Sequence, residues 1–94
     1  MKKTSRLTKR GIADLPNDKP VVYKIKTDGG KTNYAGIAKR GRVQGRIAEH
    51  FAGEKDFVPG SKVEIEQMSS VEDARRKEKA IIGRSKPKYN KQDK

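Results

Sequence analysis

The length, composition and charge of this 94-residue chain limit what it can do. Lysine and arginine number 24 against 12 aspartates and glutamates, a formal net charge of +12, and this excess favours a polyanionic partner. The absence of cysteine excludes a disulfide framework, a zinc ribbon and a thiol nucleophile. No apolar run reaches membrane length and no signal-peptide core follows the first lysines, so a cytoplasmic location is expected, on the nucleoid in a bacterium.

The first 19 residues form a basic stretch. Five cations precede the first acid, Asp14: Lys2, Lys3, Arg6, Lys9 and Arg10. We predict a partly flexible arm over residues 1–19, either solvated or in contact with phosphates. The apolar residues concentrate further along the chain, which predicts one folded domain over residues 20–90 and a flexible tail over residues 91–94.

A β-hairpin is predicted where the chain enters this domain. Residues 21–36 have two strand-like arms around a centre of turn formers at residues 28–31. A four-residue loop, or a two-residue Gly-Gly loop, places Tyr23 opposite Gly36 and makes Tyr34 its diagonal neighbour on the same face. A three-residue loop would place the two tyrosines on opposite faces. Beside the bare glycine, the two hydroxyls would project over an unfilled patch.

Three more elements follow the hairpin. A basic turn leads into a helix predicted over residues 42–52, and residues 61–68 alternate like a half-buried strand. Ser69-Ser70 then offers an N-cap for a helix over residues 71–84. The order strand, strand, helix, strand, helix predicts a small α+β domain. Its three-stranded antiparallel sheet would be flanked by helices.

The last predicted helix carries a carboxylate on its inward face. Helical spacing from Val71 puts Ala74, Glu78 and Ile81 on one stripe. An inward carboxylate is costly unless it is paired, hydrogen-bonded or bound to a cation. Two interpretations follow: Glu78 tilts to the edge and pairs with Arg46 or a lysine, or it ligates a divalent metal together with substrate phosphate oxygens.

Five segments, in this order, resemble the GIY-YIG nuclease family. Val21-Val22-Tyr23 and Tyr34-Ala35-Gly36 resemble its paired signature, with ten residues between the tyrosines. Residues 45–51 resemble its first helix, which carries the catalytic arginine. Residues 78–82 resemble the segment with its metal-binding glutamate, and residues 86–90 resemble its closing Pro-Lys-Tyr-Asn segment. Within the family, the chain is similar to the N-terminal domain of excision-repair endonucleases.

The resemblance implies an endonuclease or nickase that hydrolyses phosphodiester bonds in double-stranded or branched DNA. It implies one divalent metal ion, Mg²⁺ or Mn²⁺. Tyr23 would be the general base or would orient the attacking water, and Tyr34 would hold water or phosphate beside it. Because an unperturbed phenol titrates near pH 10, a nearby cation such as a metal-bound water or Lys39 is expected to lower the pKa of Tyr23.

The resemblance also assigns roles on the two helices and at the chain end. Arg46 would neutralise charge on the scissile phosphate. His50 would assist proton transfer or bind phosphate. Glu78 would ligate the metal, which acts as a Lewis acid. Asn90 would anchor the C-terminal segment near the active site.

Five further cations are predicted to contact the DNA backbone: Lys39, Arg40, Arg42, Lys86 and Lys88. The sequence departs from the family pattern at two positions. Ile37 stands where the family often has Lys or Arg, so Lys39 or Arg40 is expected to supply that charge. Val21 replaces the first glycine of the signature.

Other functions fit parts of the sequence. A non-catalytic nucleic-acid-binding module with the same fold would show salt-sensitive binding without cleavage, and a ribosome-associated or RNA-binding protein fits the composition but leaves Glu78 unexplained. The tyrosine pair taken alone also fits cross-strand packing, His50 a structural role and Asn90 a turn. Selectivity would come from DNA structure, the short arms or a partner protein, and roles in repair, mobile elements and restriction stay open.

Overall fold

The structure is a computed structural model that describes residues 2–50 and 57–89. This part of the chain contains seven helices and strands. The strands are β1 (Lys2–Arg6), β2 (Val21–Lys26), β3 (Thr32–Ala38) and β4 (Lys62–Gln67). The helices are α1 (Lys9–Ala13), α2 (Val43–Ala48) and α3 (Val71–Ser85). All strand pairs are antiparallel, in the order β1-β4-β2-β3. The predicted α+β class is confirmed.

The sheet has four strands, so the prediction of three was wrong. The fourth is β1, which lies inside the stretch that was predicted as a basic arm. It pairs with β4 from Lys2 opposite Glu66 to Arg6 opposite Lys62. Its sequence, KKTSR, contains no apolar residue, so the alternation that identifies a strand is missing. The β4 main chain supplies the pairing, and a cationic edge strand is a common protection against further strand addition.

Tyr23 lies opposite Gly36, as predicted, but the hairpin loop differs from the prediction. The Gly30 N–H donates to the Thr27 carbonyl and the Thr27 N–H donates to the Lys31 carbonyl, both at 2.9 Å. The loop therefore has three residues, and Gly30 adopts a φ of 90° that glycine tolerates without strain. Such a loop alone would put the two tyrosines on opposite faces.

A β-bulge restores the register. Lys26 pairs with Thr32, whereas the preceding residue of β2, Ile25, pairs with Tyr34. Asn33 is therefore the extra residue of β3, and the ladder beyond it shifts by one position. The shift cancels the effect of the three-residue loop, and both tyrosines return to one face.

The bulge residue also holds two distant segments. Asn33 is buried, its Nδ2 donates to the Pro59 carbonyl at 2.8 Å, and its own carbonyl accepts from the Tyr89 N–H at 2.8 Å. One residue thus fixes the segment before β4 and the segment after α3 to the hairpin.

Asn33→Ala is expected to lower the free energy of unfolding by about 1–2 kcal/mol, because it removes the hydrogen bond to Pro59 from a partly buried site. Urea unfolding followed by circular dichroism measures this change. Lys31→Ala, at an exposed loop position, is the control and should leave the midpoint in place. An unchanged midpoint in Asn33→Ala would show that the bulge is held by main-chain bonds alone.

The sheet is covered on both faces. On one face, β2 and β4 side chains pack with α1 and α2 in the main core: Ile12, Leu15, Val21, Tyr23, Ile25, Val43, Ile47, Val63 and Ile65. On the other face, α3 packs on β3 and β2, where Ile81 contacts Val22 and Ala35. The predicted N-cap of α3 is present, since the Ser70 hydroxyl accepts from the Asp73 N–H at 3.1 Å.

Helix α2 is shorter than predicted in the described region. It ends at Ala48, a turn follows at residues 49–50, and residues 51–52 of the predicted helix lie outside the described residues. Its start is fixed from a distance, because the Asn17 side-chain oxygen accepts from the Val43 N–H at 2.8 Å. Across residues 2–50 and 57–89, no helix has the length and apolar character needed to cross a membrane.

Candidate active site

Gly36 makes room for the two hairpin tyrosines. A Cβ at this position would lie 2.7 Å from the Tyr23 hydroxyl oxygen, 2.8 Å from Tyr23 Cζ and 2.9 Å from Tyr34 Cε2. The patch beside the glycine is therefore filled by aromatic rings, whereas the sequence had suggested an empty one. The two ring centroids are 6.1 Å apart, and Tyr23 is fully buried.

His50 completes an aromatic cluster with these tyrosines. The Tyr23 hydroxyl oxygen and His50 Nε2 are 2.7 Å apart in a buried hydrogen bond. The imidazole centroid lies 4.7 Å from that of Tyr34. The turn after α2 positions His50: its N–H donates to the Ile47 carbonyl at 3.0 Å, and its carbonyl accepts from the Val58 N–H at 3.0 Å. A neutral imidazole with its proton on Nδ1 accepts the phenol proton at Nε2.

The protein environment raises the pKa of Tyr23 well above its ordinary value. Burial is the largest cause, the neighbouring Tyr34 adds to it, and Glu78 contributes in the same direction. Arg46 acts to lower the pKa but is outweighed. The expectation that a nearby cation lowers this pKa is thus not met by the described side chains. The phenol keeps its proton at physiological pH, and His50 Nε2 accepts it in a hydrogen bond when the imidazole proton is on Nδ1.

Arg46 stands at the edge of a charged cavity. A guanidinium nitrogen of Arg46 lies 2.5 Å from a carboxylate oxygen of Glu49, one turn further on. A cavity of about 380 Å³ is lined by Arg46, by residues of β3 and of the turn between β3 and α2, and by one residue of α3: Ile37, Ala38, Lys39, Arg42 and Arg75. Its apolar floor and cationic rim suit a sugar-phosphate chain.

Glu78 has no close partner in the described part of the chain. It is half-buried on α3, and among residues 2–50 and 57–89 no side chain hydrogen-bonds to it or forms a salt bridge with it. Burial raises the pKa of Glu78, while Arg75 and Arg46 act in the opposite direction. The predicted pairing with Arg46 or a lysine is therefore absent there.

This carboxylate fits a divalent cation. Within the described residues, no group of three or more His, Cys, Asp and Glu side chains is clustered. A cation beside Glu78 would consequently rest on one protein carboxylate, with water and phosphate oxygens as the other ligands. Mg²⁺ commonly binds in this way because it keeps several of its waters.

The predicted backbone-binding cations separate into different places. Lys39 and Arg42 line the cavity with Arg46, whereas Arg40 lines another cavity with Asp18. Of the others, Lys86 ends α3 in a left-handed conformation with φ 45°, and Lys88 Nζ lies 5.8 Å from the Tyr89 ring centroid. Asn90 lies outside the described residues. The DNA contacts of all these residues stay predictions.

Arg75 was missed as a candidate site residue. It lies three positions before Glu78 on α3, so the two side chains share one side of the helix, and it lines the same cavity as Lys39 and Arg42. The signal was present in the helical spacing.

The hairpin, the helices and their order define a GIY-YIG-like fold. Among solved structures, the chain is similar to the GIY-YIG N-terminal endonuclease domain of UvrC from Thermotoga maritima bound to its catalytic magnesium ion. The TM-score is 0.66 at 23% identity, over 87% of this chain and 94% of that one. This similarity confirms the GIY-YIG-like fold that the sequence resemblance predicted.

Two variants of the same Thermotoga maritima domain, each bound to its catalytic divalent cation, are equally similar. A tyrosine-to-phenylalanine variant has 22% identity and a TM-score of 0.66 over 87% of this chain and 93% of that one. An asparagine-to-alanine variant has 23% identity and a TM-score of 0.66 over 86% and 92%. No protein-family model and no curated protein sequence matches this chain.

Proposed function

We propose that this protein is a metal-dependent endonuclease or nickase that hydrolyses phosphodiester bonds in DNA. The observation that carries the proposal is the buried hydrogen bond of 2.7 Å between Tyr23 and His50, together with Arg46, whose charge acts on Tyr23 and which lines the cationic cavity. The GIY-YIG-like fold also supports the assignment.

The Tyr23–His50 pair activates the attacking water. Tyr23 accepts a hydrogen bond from the water, and as the water oxygen attacks phosphorus its proton passes to the Tyr23 oxygen. The original phenol proton moves at the same time to His50 Nε2, so no free phenolate is required. This relay accommodates the raised pKa of Tyr23, because the imidazole is the final proton acceptor.

Arg46 and Glu78 act on the phosphate. The Arg46 guanidinium neutralises the charge that develops on the scissile phosphate, where its planar fork matches two phosphate oxygens. Glu78 would hold a divalent cation, Mg²⁺ or Mn²⁺. When bound, such a cation supplies Lewis-acid stabilisation of the leaving oxygen.

The cavity beside Arg46 holds the DNA backbone next to the reacting bond. Lys39 and Arg42 line it from the turn between β3 and α2, and Arg75 lines it from α3. Arg75 supplies a charge beside Ile37, which supplies none. We propose double-stranded or branched DNA as the substrate because these contacts address phosphates and not bases.

The test of this function is nicking of supercoiled plasmid with Mg²⁺ or Mn²⁺, with an EDTA control. Conversion to the open circle with metal, and none with EDTA, is the expected result. Tight, salt-dependent DNA binding without any nicking would contradict the proposal and would identify a non-catalytic binding module.

Tyr23→Phe is expected to reduce nicking by about 10²-fold, since general acid–base groups contribute at least that much. Tyr89 is the third tyrosine of the chain and does not belong to the aromatic cluster. Tyr89→Phe is therefore the matched control and should retain the wild-type rate. Nicking by Tyr23→Phe at the wild-type rate would show that Tyr23 takes no part in the proton transfer.

A further inference from the structure

The face of the sheet opposite Tyr23 carries a dense set of cations. Side chains of β1, β4 and β2 on this face form three cross-strand rows: Lys2, Glu66 and Val22; Thr4, Glu64 and Lys24; Arg6, Lys62 and Lys26. Two α3 cations, Lys77 and Arg84, line a cavity of about 110 Å³ with Lys2 and Lys24. We call the seven cations of this surface the basic sheet face: Lys2, Arg6, Lys24, Lys26, Lys62, Lys77 and Arg84.

The two carboxylates on this surface already have partners. Glu64 lies 2.7 Å from Lys26, and Glu66 lies 3.9 Å from Lys77. The pKa of Glu64 is lowered, first by its hydrogen bond with Lys26 and further by the charges of Lys26, Lys24 and Lys2, against a smaller effect of burial. Within the described residues, the remaining cations of the face have no salt bridge: Lys2, Arg6, Lys24, Lys62 and Arg84.

One of the three cross-strand rows consists of cations alone and destabilises the fold. Arg6, Lys62 and Lys26 stand directly opposite one another on three adjacent strands, and like charges at facing positions of antiparallel strands are destabilising. Only Lys26 reaches a carboxylate, on the neighbouring row. A bound polyanion would remove this repulsion, because its charges would lie over all three side chains.

The chemistry of the surface selects the kind of polyanion. Phe57 is the large hydrophobic side chain that is exposed in the described part of the chain, and it does not belong to this face. The face therefore lacks the apolar core and aromatic anchors of a protein interface. It also lacks the aromatic platforms on which single-stranded bases stack. Rows of Lys and Arg that have neither an apolar core nor aromatic platforms are suited to the phosphates of a duplex.

We propose that the basic sheet face binds the backbone of a second DNA duplex segment, separate from the segment at the active site. Tyr23 and Lys24 are consecutive in β2, so their side chains leave the sheet on opposite faces. Helix α3 lies on the Lys24 face, and its period of about 3.6 residues puts Lys77 and Arg84 on the opposite side of the helix from Arg75, which lines the active-site cavity. β1 and β3 are the two edges of the sheet, roughly 14 Å apart at ordinary strand spacing. The protein can therefore contact two duplex segments at once, as a branched or crossing substrate presents them.

The test compares Lys62→Glu with Lys31→Glu, which makes the same charge change at an exposed loop position outside the face. The first readout is energy transfer between two differently labelled short duplexes mixed with the full-length protein. Wild type and Lys31→Glu should bring the duplexes together, and Lys62→Glu should lose most of this signal. The second readout is the salt dependence of binding, whose slope should fall by about 0.9 for each phosphate that the variant no longer neutralises.

The same variant, Lys62→Glu, also provides the control for folding. Lys62→Glu places a negative charge between Arg6 and Lys26, so its Tm should rise, and loss of bridging cannot then be ascribed to unfolding. Equal bridging by both variants would overturn the inference. Binding of the face to anionic lipid vesicles without duplex bridging would also overturn it. The readouts do not use catalysis, so bridging without nicking would support this inference while refuting the proposed nuclease activity.

Discussion

Glu78→Gln is expected to abolish nicking and to make the metal-free protein more stable. The first effect follows from loss of the proposed metal ligand, and a metal contributes several kcal/mol to the transition state, which corresponds to about 10³-fold in rate. The second effect follows from burial. Ionised Glu78 is desolvated and has no hydrogen bond within the described residues, whereas a neutral amide at the same place carries a smaller desolvation cost.

The sign of the stability change follows from the direction of the pKa shift. Burial outweighs the attraction of Arg75 and Arg46, so the pKa of Glu78 is raised and its ionised form is less favourable in the fold than in the unfolded chain. Thermal unfolding with EDTA at neutral pH should therefore give a higher Tm for Glu78→Gln than for wild type.

Glu72→Gln is the matched control for this prediction. Glu72 is exposed in the first turn of the same helix, where a carboxylate is favourable. Its replacement should leave nicking unchanged and should not raise Tm. Nicking that survives Glu78→Gln would show that the metal ligand lies elsewhere. A lower Tm for Glu78→Gln in EDTA would show that the carboxylate is stabilised by the folded chain.

The predicted pairing of the hairpin is correct although the loop length from which it was derived is wrong. A four-residue or two-residue loop places Tyr23 opposite Gly36, and the structure has that pair. The loop has three residues, and the bulge at Asn33 compensates for it by one position. Turn formers at residues 28–31 are compatible with several loop lengths, and no local signal marks Asn33, because its side chain is held by Pro59, 26 positions away.

Strand β1 shows what periodicity cannot detect. A strand without apolar residues forms because β4 offers it a free edge, and the residues that pair lie more than fifty positions apart in sequence, as Arg6 and Lys62 do. The raised pKa of Tyr23 also depends on parts of the chain that are distant in sequence. Its causes are burial and the side chains of other elements, which depend on the tertiary structure.

Glu78 shows the opposite case, in which helical spacing was sufficient. The stripe through Val71, Ala74 and Ile81 predicted an inward carboxylate, and it is half-buried. Its partner could not be predicted in this way. A guanidinium nitrogen of Arg46 pairs with Glu49 of its own turn at 2.5 Å, since a local pair requires no approach between α2 and α3.

Gly36→Ala is expected to destabilise the protein and to displace the Tyr23 hydroxyl from its position in the candidate active site. The added Cβ would lie 2.7 Å from the Tyr23 oxygen and 2.8 Å from its Cζ, and the fully buried Tyr23 ring is packed among core side chains on the same face. Overpacking of this kind costs about 3 kcal/mol. A shift of about 1 Å in the hydroxyl also disrupts the hydrogen bond to His50, and such a misplacement reduces the rate by about 10².

Gly83→Ala is the control with the opposite expected sign. No atom lies within 4 Å of a Cβ at Gly83, which is exposed in α3, so alanine should stabilise the helix by about 1 kcal/mol and leave nicking unchanged. Urea unfolding and plasmid nicking measure both variants. A double-mutant cycle then tests the cause: Gly36→Ala should destabilise less in a Tyr23→Phe background, because the closest contact is with the hydroxyl oxygen. Equal destabilisation in both backgrounds would place the clash with the rings and not with the proton-transfer group.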